Sequence, residues 1–395
     1  MWSSLKRFWL FDDPRSYGAR ALLCGAVEGL EAVGKQVRIF SLDPQAPAGA
    51  EALRNDLLRF APDAVLLANH PSSLFLRDIG LTAAPCRFFV WIFDDPFLMG
   101  EESFSPDDIV LVADPMFAEA ARARGARRVL FLPVAAPVHI QADLRREYAA
   151  PLAYVGSTQQ MNHRRAQMPE EIVRYFDQIV EYKVSDPARG FEDLLESFPM
   201  ASGKKIILNG GVAYYLYTEA NRLSRLRYLR PLASLGLSLY GNETWSAQIQ
   251  GTDLQSCFRG ALDPFLEYPS LIRSAAININ LRSLQGYVAP TQRDFLVPCV
   301  GGFLLSTTVK NADFYWNRVD PDNLFYLSAF PWSFAASSPD DLHQAADRFL
   351  KEPNARREWT DFAARIIAEK HTFAHRMEQL GRLLDTFYVA ENAIV

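Results

Sequence analysis

Two hexapeptides hold the carboxylates best suited to chemistry. "WLFDDP" spans Trp9 to Pro14 and "WIFDDP" spans Trp91 to Pro96, 82 residues apart (91 − 9), and they differ only by Leu10 against Ile92. Each closes an aromatic, apolar run with two aspartates and a proline. Pro14 and Pro96 cannot donate to a strand ladder, so each turns the chain out into a loop. Asp12, Asp13, Asp94 and Asp95 are therefore candidate catalytic residues. One of them, its pKa raised by neighbouring negative charge, can act as general base towards an acceptor hydroxyl. The alternative for each is the cap of a helix or turn. A metal pair fits less well. Four carboxylates can hold Mg²⁺, but no histidine or third acidic position keeps ligand-like spacing nearby.

The elements around the hexapeptides give them a place. "KRFWLFDD", "QVRIFSLD", "DAVLLANH", "RFFVWIFDD", "DIVLVAD" and "RVLFLPV" are short apolar runs with little polar alternation, the pattern of strands buried on both faces. Helical periodicity over Ala19–Val33, Ala50–Phe60 and Met116–Arg124 separates several of them. Such alternation predicts an α/β fold with a doubly wound parallel sheet. In the order 3-2-1-4-5-6 the first and fourth strands are neighbours at the switch point, where ligands bind. That order would bring all four aspartates to one cleft. The first loop, "FDDPRSYGARALL", holds only Gly18 where a dinucleotide fold needs G-x-G-x-x-G, so a nucleotide is expected in the second half. The Pro/Ala-rich stretch Pro133–Pro151 marks a hinge. The expected division is 1–140, 141–365 with a helical insertion at about 168–235, and a C-terminal helix over 366–395 packing back on the domain seam. "KKIILNGG" is the one strand-like piece of that insertion.

Composition narrows the function classes. The chain has 395 residues and a net charge of −5, which gives no electrostatic footprint for nucleic acid. Cys24, Cys86, Cys257 and Cys299 lack C-x-x-C pairing, so neither a zinc site nor a disulfide framework is indicated. No run reaches the roughly 20 apolar residues of a membrane span, and a cytoplasmic location is expected.

The second half carries further candidates. "AYVGS" (Ala153–Ser157) is a strand entering a Gly-Ser turn, with Arg164 and Arg165 close behind. Backbone N–H groups and an arginine there suit a phosphate. "YGNETW" (Tyr240–Trp245), "RGALDPFLEYPSLIRSAAININL" (Arg259–Leu281), "TQRDFLVPCVGGFLLST" (Thr291–Thr307) and "HTFAHRMEQL" (His371–Leu380) follow in that order. Together they resemble the CgeB-like, spore-maturation type glycosyltransferases, and "WIFDDP" with the stretch after it resembles the N-terminal half of that group. The resemblance implies the two-Rossmann, B-type fold. It also implies sugar transfer from a nucleotide-diphosphate sugar without a metal or other cofactor, the donor lying on the C-terminal domain. Gly156 and Ser157 match the family's early glycine turn, Gly241 the turn after its "lyG" strand, and Asn280 the asparagine after its "iN" strand. Arg293 matches its R-x-F arginine, Gly301 and Gly302 its G-G-F-L-L glycines, and His371 and Arg376 its ending.

Arg293 could neutralise the diphosphate leaving group; its alternative is a surface salt bridge. Gly301 and Gly302 could admit the donor to the backbone or simply form a turn. Tyr268 could flank the base or pack its helix. His371 and Arg376 are expected to fasten the C-terminal helix, while His139 and His163 read as ordinary polar residues. In one place the chain departs from the pattern: relatives carry an acid three positions after the arginine, expected on the donor ribose, and here Leu296 stands there. Either Asp294 or Glu243 substitutes for it, or the donor is held differently, or transferase activity is lost. The expected partners are a nucleotide sugar and an acceptor protein or glycan. A nucleotide-sugar epimerase and a non-catalytic binding protein are the competing readings.

Overall fold

The computed structural model describes residues 1–12, 17–41, 49–69, 86–99, 103–137, 140, 142–286, 288–307 and 334–392. They form two compact units: one holds the described residues of Met1–His139 and Ile367–Val395, the other those of Ile140–Phe314 and Ser328–Ile366. Each unit is a doubly wound α/β domain of the Rossmann type, built on six parallel strands.

The first sheet consists of β1 (Arg7–Asp12), β2 (Gln36–Ser41), β3 (Ala64–Ala68), β4 (Arg87–Ile92), β5 (Ile109–Val112) and β6 (Arg128–Phe131). Its order is β2-β1-β3-β4-β5-β6, which corrects the expectation that β1 and β4 are neighbours. β3 lies between them, pairing Phe8 with Ala64 on one side and Ala64 with Arg87 on the other. The switch point is at β1 and β3. The twin tryptophans serve the core in different ways. Trp9 Nε1 donates to Asp56 Oδ2 at 3.0 Å, while Trp91 Nε1 donates to the Leu132 carbonyl at 2.9 Å.

The C-terminal segment completes this first unit. The helix Phe373–Asn392 packs on the helix Tyr17–Ala32, and two glycines permit the approach: a Cβ on Gly25 would collide with the Phe373 ring, and one on Gly29 with the Phe373 carbonyl. The chain just after β6 holds the segment in place. Ala136 N–H donates to the His371 carbonyl at 2.8 Å, and Phe373 N–H to the Ala136 carbonyl at 2.9 Å. The buried Arg376 donates to the Val134 carbonyl at 3.1 Å and bonds Gln379. His371 and Arg376 are thus fastenings of the C-terminal helix to the first unit.

The second sheet consists of β7 (Leu152–Val155), β8 (Leu237–Tyr240), β9 (Phe258–Gly260), β10 (Ile277–Asn280), β11 (Leu304–Thr307) and β12 (Phe334–Ala336), in the order β12-β11-β10-β7-β8-β9. Counted from β7 this is 3-2-1-4-5-6, with its switch point between β7 and β10. The core beneath it gathers Leu152, Leu237, Leu239, Trp245, Ile277 and Leu305. Between β7 and β8 lie the helices Glu170–Ser185, Phe191–Ser197 and Gly210–Leu229. "KKIILN" forms no strand: Lys204–Leu208 are largely exposed and in no ladder. Among the described residues no helix is long and apolar enough to cross a membrane, and no group of three or more His, Cys, Asp or Glu could hold a metal ion.

Two predictions test the C-terminal packing. Gly29→Ala forces a methyl against backbone and should cost about 1–3 kcal/mol, read as a lower denaturation midpoint. His371 is buried beside Arg376, and both effects push its pKa from 6.5 down to about 2, so it stays neutral in the fold. The unfolded chain takes up the proton below pH 6.5 while the folded one does not. Stability should therefore fall on acidification, this residue contributing at most about 1.4 kcal/mol per pH unit. Urea titrations between pH 7.5 and 5 should show a flatter slope for His371→Asn.

Candidate functional site

At the carboxyl end of β7 the chain turns through Gly156, Ser157 and Thr158. Gly156 N–H donates to the Tyr240 carbonyl at 2.9 Å, and its own carbonyl accepts the Trp245 indole N–H at 2.6 Å. A Cβ on Gly241 would collide with that carbonyl and with Trp245, and one on Gly156 would lie 2.5 Å from the Tyr154 hydroxyl. Both positions thus require glycine. Asn242, beyond β8, fixes the turn from the other side, accepting from Thr158 N–H at 2.9 Å and donating to its carbonyl at 2.7 Å. Ser157 remains exposed.

Arg293 lies in the first turn of the helix Gln292–Cys299, which Thr291 and Asp294 close with a reciprocal capping box. Its guanidinium carbon is 6.0 Å from the Tyr154 ring centre and 5.9 Å from that of Tyr268, cation–π distances that hold the group in place. Among the described residues it has neither an ion pair nor a hydrogen bond. The Tyr154 hydroxyl also lacks a hydrogen-bond partner among them, although Tyr154 is 1% exposed. Burial pushes the Tyr268 hydroxyl up in pKa, so it stays protonated. A guanidinium with its N–H donors unspent, beside a phenol on the switch-point strand β7, can receive an anion. Tyr154 was missed in the sequence; its only signal there is an aromatic two residues before the Gly156 turn.

Other sequence candidates have structural duties. Asp294 is fully buried; its Oδ2 accepts from Thr291 N–H at 2.7 Å and pairs with Arg282 at 3.3 Å. That carboxylate is committed to the helix cap, so Asp294 does not stand in for the missing acid. Leu296 packs, as Tyr268 does, on the cluster of Ile272, Val297, Val300 and Leu304. Glu243 is exposed after β8. Asn280 is buried and donates to Thr291 Oγ1 and Ser306 Oγ. Gly301 adopts a φ of +88° just beyond the helix, a turn that favours glycine, and Gly302 fits closely over Ile272. Arg165 is bound two-pronged by Asp177. Arg164 is exposed and stacks on the Tyr214 ring. His163 bonds Gln167, and His139 lies outside the described residues.

In the first unit the two hexapeptides fare differently. Asn69, just past β3, has φ +50°. Its Oδ1 accepts from Phe93 N–H at 2.7 Å, and its Nδ2 donates to Asp94 Oδ2 at 2.6 Å. Asp94 is half-buried and oriented by this amide, a partner that spacing did not indicate. Asp95 is buried, 2% exposed, which removes it from direct contact with an acceptor. Asp12 pairs through its backbone with Ser41; its side chain and Asp13 lie outside the described residues.

Residues 224–382 match a family described as glycosyl transferase-like. The matched region contains Arg293, Tyr268 and the Gly241 turn. No curated protein sequence matches the chain. Among solved structures it is similar to an O-GlcNAc transferase mutant from Thermobaculum terrenum, with 10% identity, TM-score 0.47, and 96% of this chain and 67% of that one covered. It is also similar to a putative UDP-N-acetylglucosamine 2-epimerase from Listeria monocytogenes, at 9% identity and TM-score 0.40, over 96% and 95% of the two chains. The calicheamicin glycosyltransferase CalG4 shares 11% identity at TM-score 0.35, over 97% and 98%.

Asn69→Ala strands the Phe93 N–H and places a Cβ-bearing residue at positive φ without a side-chain bond. It should cost about 1–3 kcal/mol, measurable by denaturant titration, and Asn69→Gly should recover only the backbone part.

Proposed function

We propose that the chain is a glycosyltransferase, of the CgeB-like kind, that moves a sugar from a nucleotide-diphosphate sugar to a hydroxyl of a protein or glycan. The observation that carries this reading is Arg293, a guanidinium held by Tyr154 and Tyr268 with no anionic partner among the described residues, inside the glycosyl transferase-like region. As the bond from the sugar to the β-phosphate breaks, negative charge grows on the diphosphate. A preoriented cation stabilises that charge and can do so in place of a metal.

At the Gly156–Ser157 turn the Ser157 N–H donates to a phosphate oxygen, since the Gly156 and Thr158 N–H groups already bond Tyr240 and Asn242; the exposed Arg164 is a second donor, and Tyr154 adds its hydroxyl. Asp94, oriented by Asn69, is the favoured carboxylate to take the proton from the acceptor hydroxyl; Asp12 and Asp13 remain candidates beside it. Leu296 leaves the donor ribose without the acid found in relatives, and Glu243 is the exposed carboxylate next in line.

The test is thermal stabilisation by UDP, GDP, dTDP and CDP, since a ligand at 100 times its Kd adds about 2.7 kcal/mol. At least one should stabilise the protein. Arg293→Ala should then weaken its binding by about 1.5–3 kcal/mol, tenfold or more in Kd, with Arg293→Lys recovering part. Unchanged affinity in Arg293→Ala would overturn the reading. Conversion of a nucleotide sugar to its epimer with no acceptor present would replace transfer by epimerisation.

A further inference from the structure

The helix Gly210–Leu229 comes from the insertion between β7 and β8 and contributes no strand, yet four of its side chains reach the loops at the carboxyl ends of the sheet. The Tyr214 hydroxyl donates to Gln159 Oε1 at 2.6 Å. Asn221 Oδ1 accepts from Leu284 N–H at 2.8 Å. Arg225 Nη1 donates to the Ser157 carbonyl. The Tyr228 hydroxyl donates to the Ser337 carbonyl at 3.3 Å. The spacings of 7, 4 and 3 residues put all four within an arc of about 60° at 3.6 residues per turn. Tyr214 and Arg225 hold the loop after β7, Asn221 the loop after β10 and Tyr228 the one after β12. A fifth side chain, the buried Glu219, accepts from Met161 N–H at 3.1 Å and pairs with Arg222.

We infer that Asn221 and Arg225 are positioning residues for the phosphate cradle. They hold the two lips of the β7/β10 switch point, Ser157 and Leu284, at a fixed spacing from a single rigid helix. The inference rests on the proposed binding of a nucleoside diphosphate at that switch point. Ser157 is exposed, and neither lip belongs to a helix or strand. Asn242 and Trp245 hold the neighbours of Ser157; the freedom left to the Ser157 peptide and to the Leu284 turn without the brace would have to be removed by the ligand, and affinity falls by the cost of that ordering. Asn221 supplies an acceptor and Arg225 a donor, each to a main-chain group, so neither depends on the identity of the loop side chains. Arg225 has no ion pair among the described residues, so its charge stays at the Ser157 turn.

The test compares Asn221→Ala, Asn221→Asp, Arg225→Ala and Arg225→Lys with wild type, with Arg227→Ala as control, since Arg227 lies on the same helix but pairs with Glu181. Two quantities are read: amide hydrogen exchange over 156–161 and 283–285 in the ligand-free protein, and Kd for whichever of UDP, GDP, dTDP or CDP binds wild type. Both alanine variants should speed exchange at the turns at least fivefold and weaken binding five- to twentyfold, with the melting temperature within about 3 °C of wild type. Asn221→Asp, which keeps the acceptor, should stay within threefold of wild type, and Arg225→Lys should recover part of the loss. Kd values within twofold of wild type for both alanine variants would overturn the inference. If none of the four diphosphates binds wild type, the Arg293 reading fails, and the brace is judged on exchange alone. Unchanged exchange at the turns would then overturn it as well.

Discussion

The carbonyl of Gly156 accepts the Trp245 indole N–H at 2.6 Å, and the second domain's site depends on that contact. It draws the turn after β7 onto the start of the helix after β8, and only glycine at 241 leaves room for the two chains to meet. Tyr154 is held by the same arrangement, because its hydroxyl occupies the space a side chain at 156 would take. Arg293 rests over the Tyr154 ring. Two positions that tolerate no Cβ, one indole and the phenols of Tyr154 and Tyr268 thus set where the guanidinium stands.

The two domains apply different chemistry at their strand ends. In the second, a cation is set among aromatic faces with no carboxylate partner among the described residues. In the first, the half-buried Asp94 accepts a hydrogen bond from the neutral amide of Asn69, which fixes its direction.

The strands were legible because a parallel strand buried on both faces must be apolar throughout. β3 reads AVLLA and β5 reads IVLV, and both are almost wholly buried. All six runs of the first half become strands. Their order was not legible, since pairing is a long-range choice among similar apolar runs. The order expected of the first sheet occurs in the second instead, and β3 separates the two hexapeptides. "KKIILN" shows the limit in the other direction: residues with strand propensity form none when no neighbouring strand is offered. Site residues divide along the same line. Glycines required by close approach, and an arginine in a recurring motif, leave a local trace. Asn69, Tyr154, Asn221 and Arg225 act on residues 24 to 139 positions away (Asn69 to Phe93; Tyr154 to Arg293), with no periodic signal to betray them.

The glycine-lined packing of Phe373 on the helix Tyr17–Ala32 has a consequence for how the protein is made. That contact joins segments from opposite ends of the chain, so the unit containing residues 1–139 lacks its last helix until residue 392 has been added. The interval is 253 residues (392 − 139), roughly 13–50 s of ribosomal elongation at about 5–20 residues per second. Throughout it the Gly25–Gly29 groove stays uncovered, while β7 to β12 are themselves being synthesised. The domain translated first is therefore completed last.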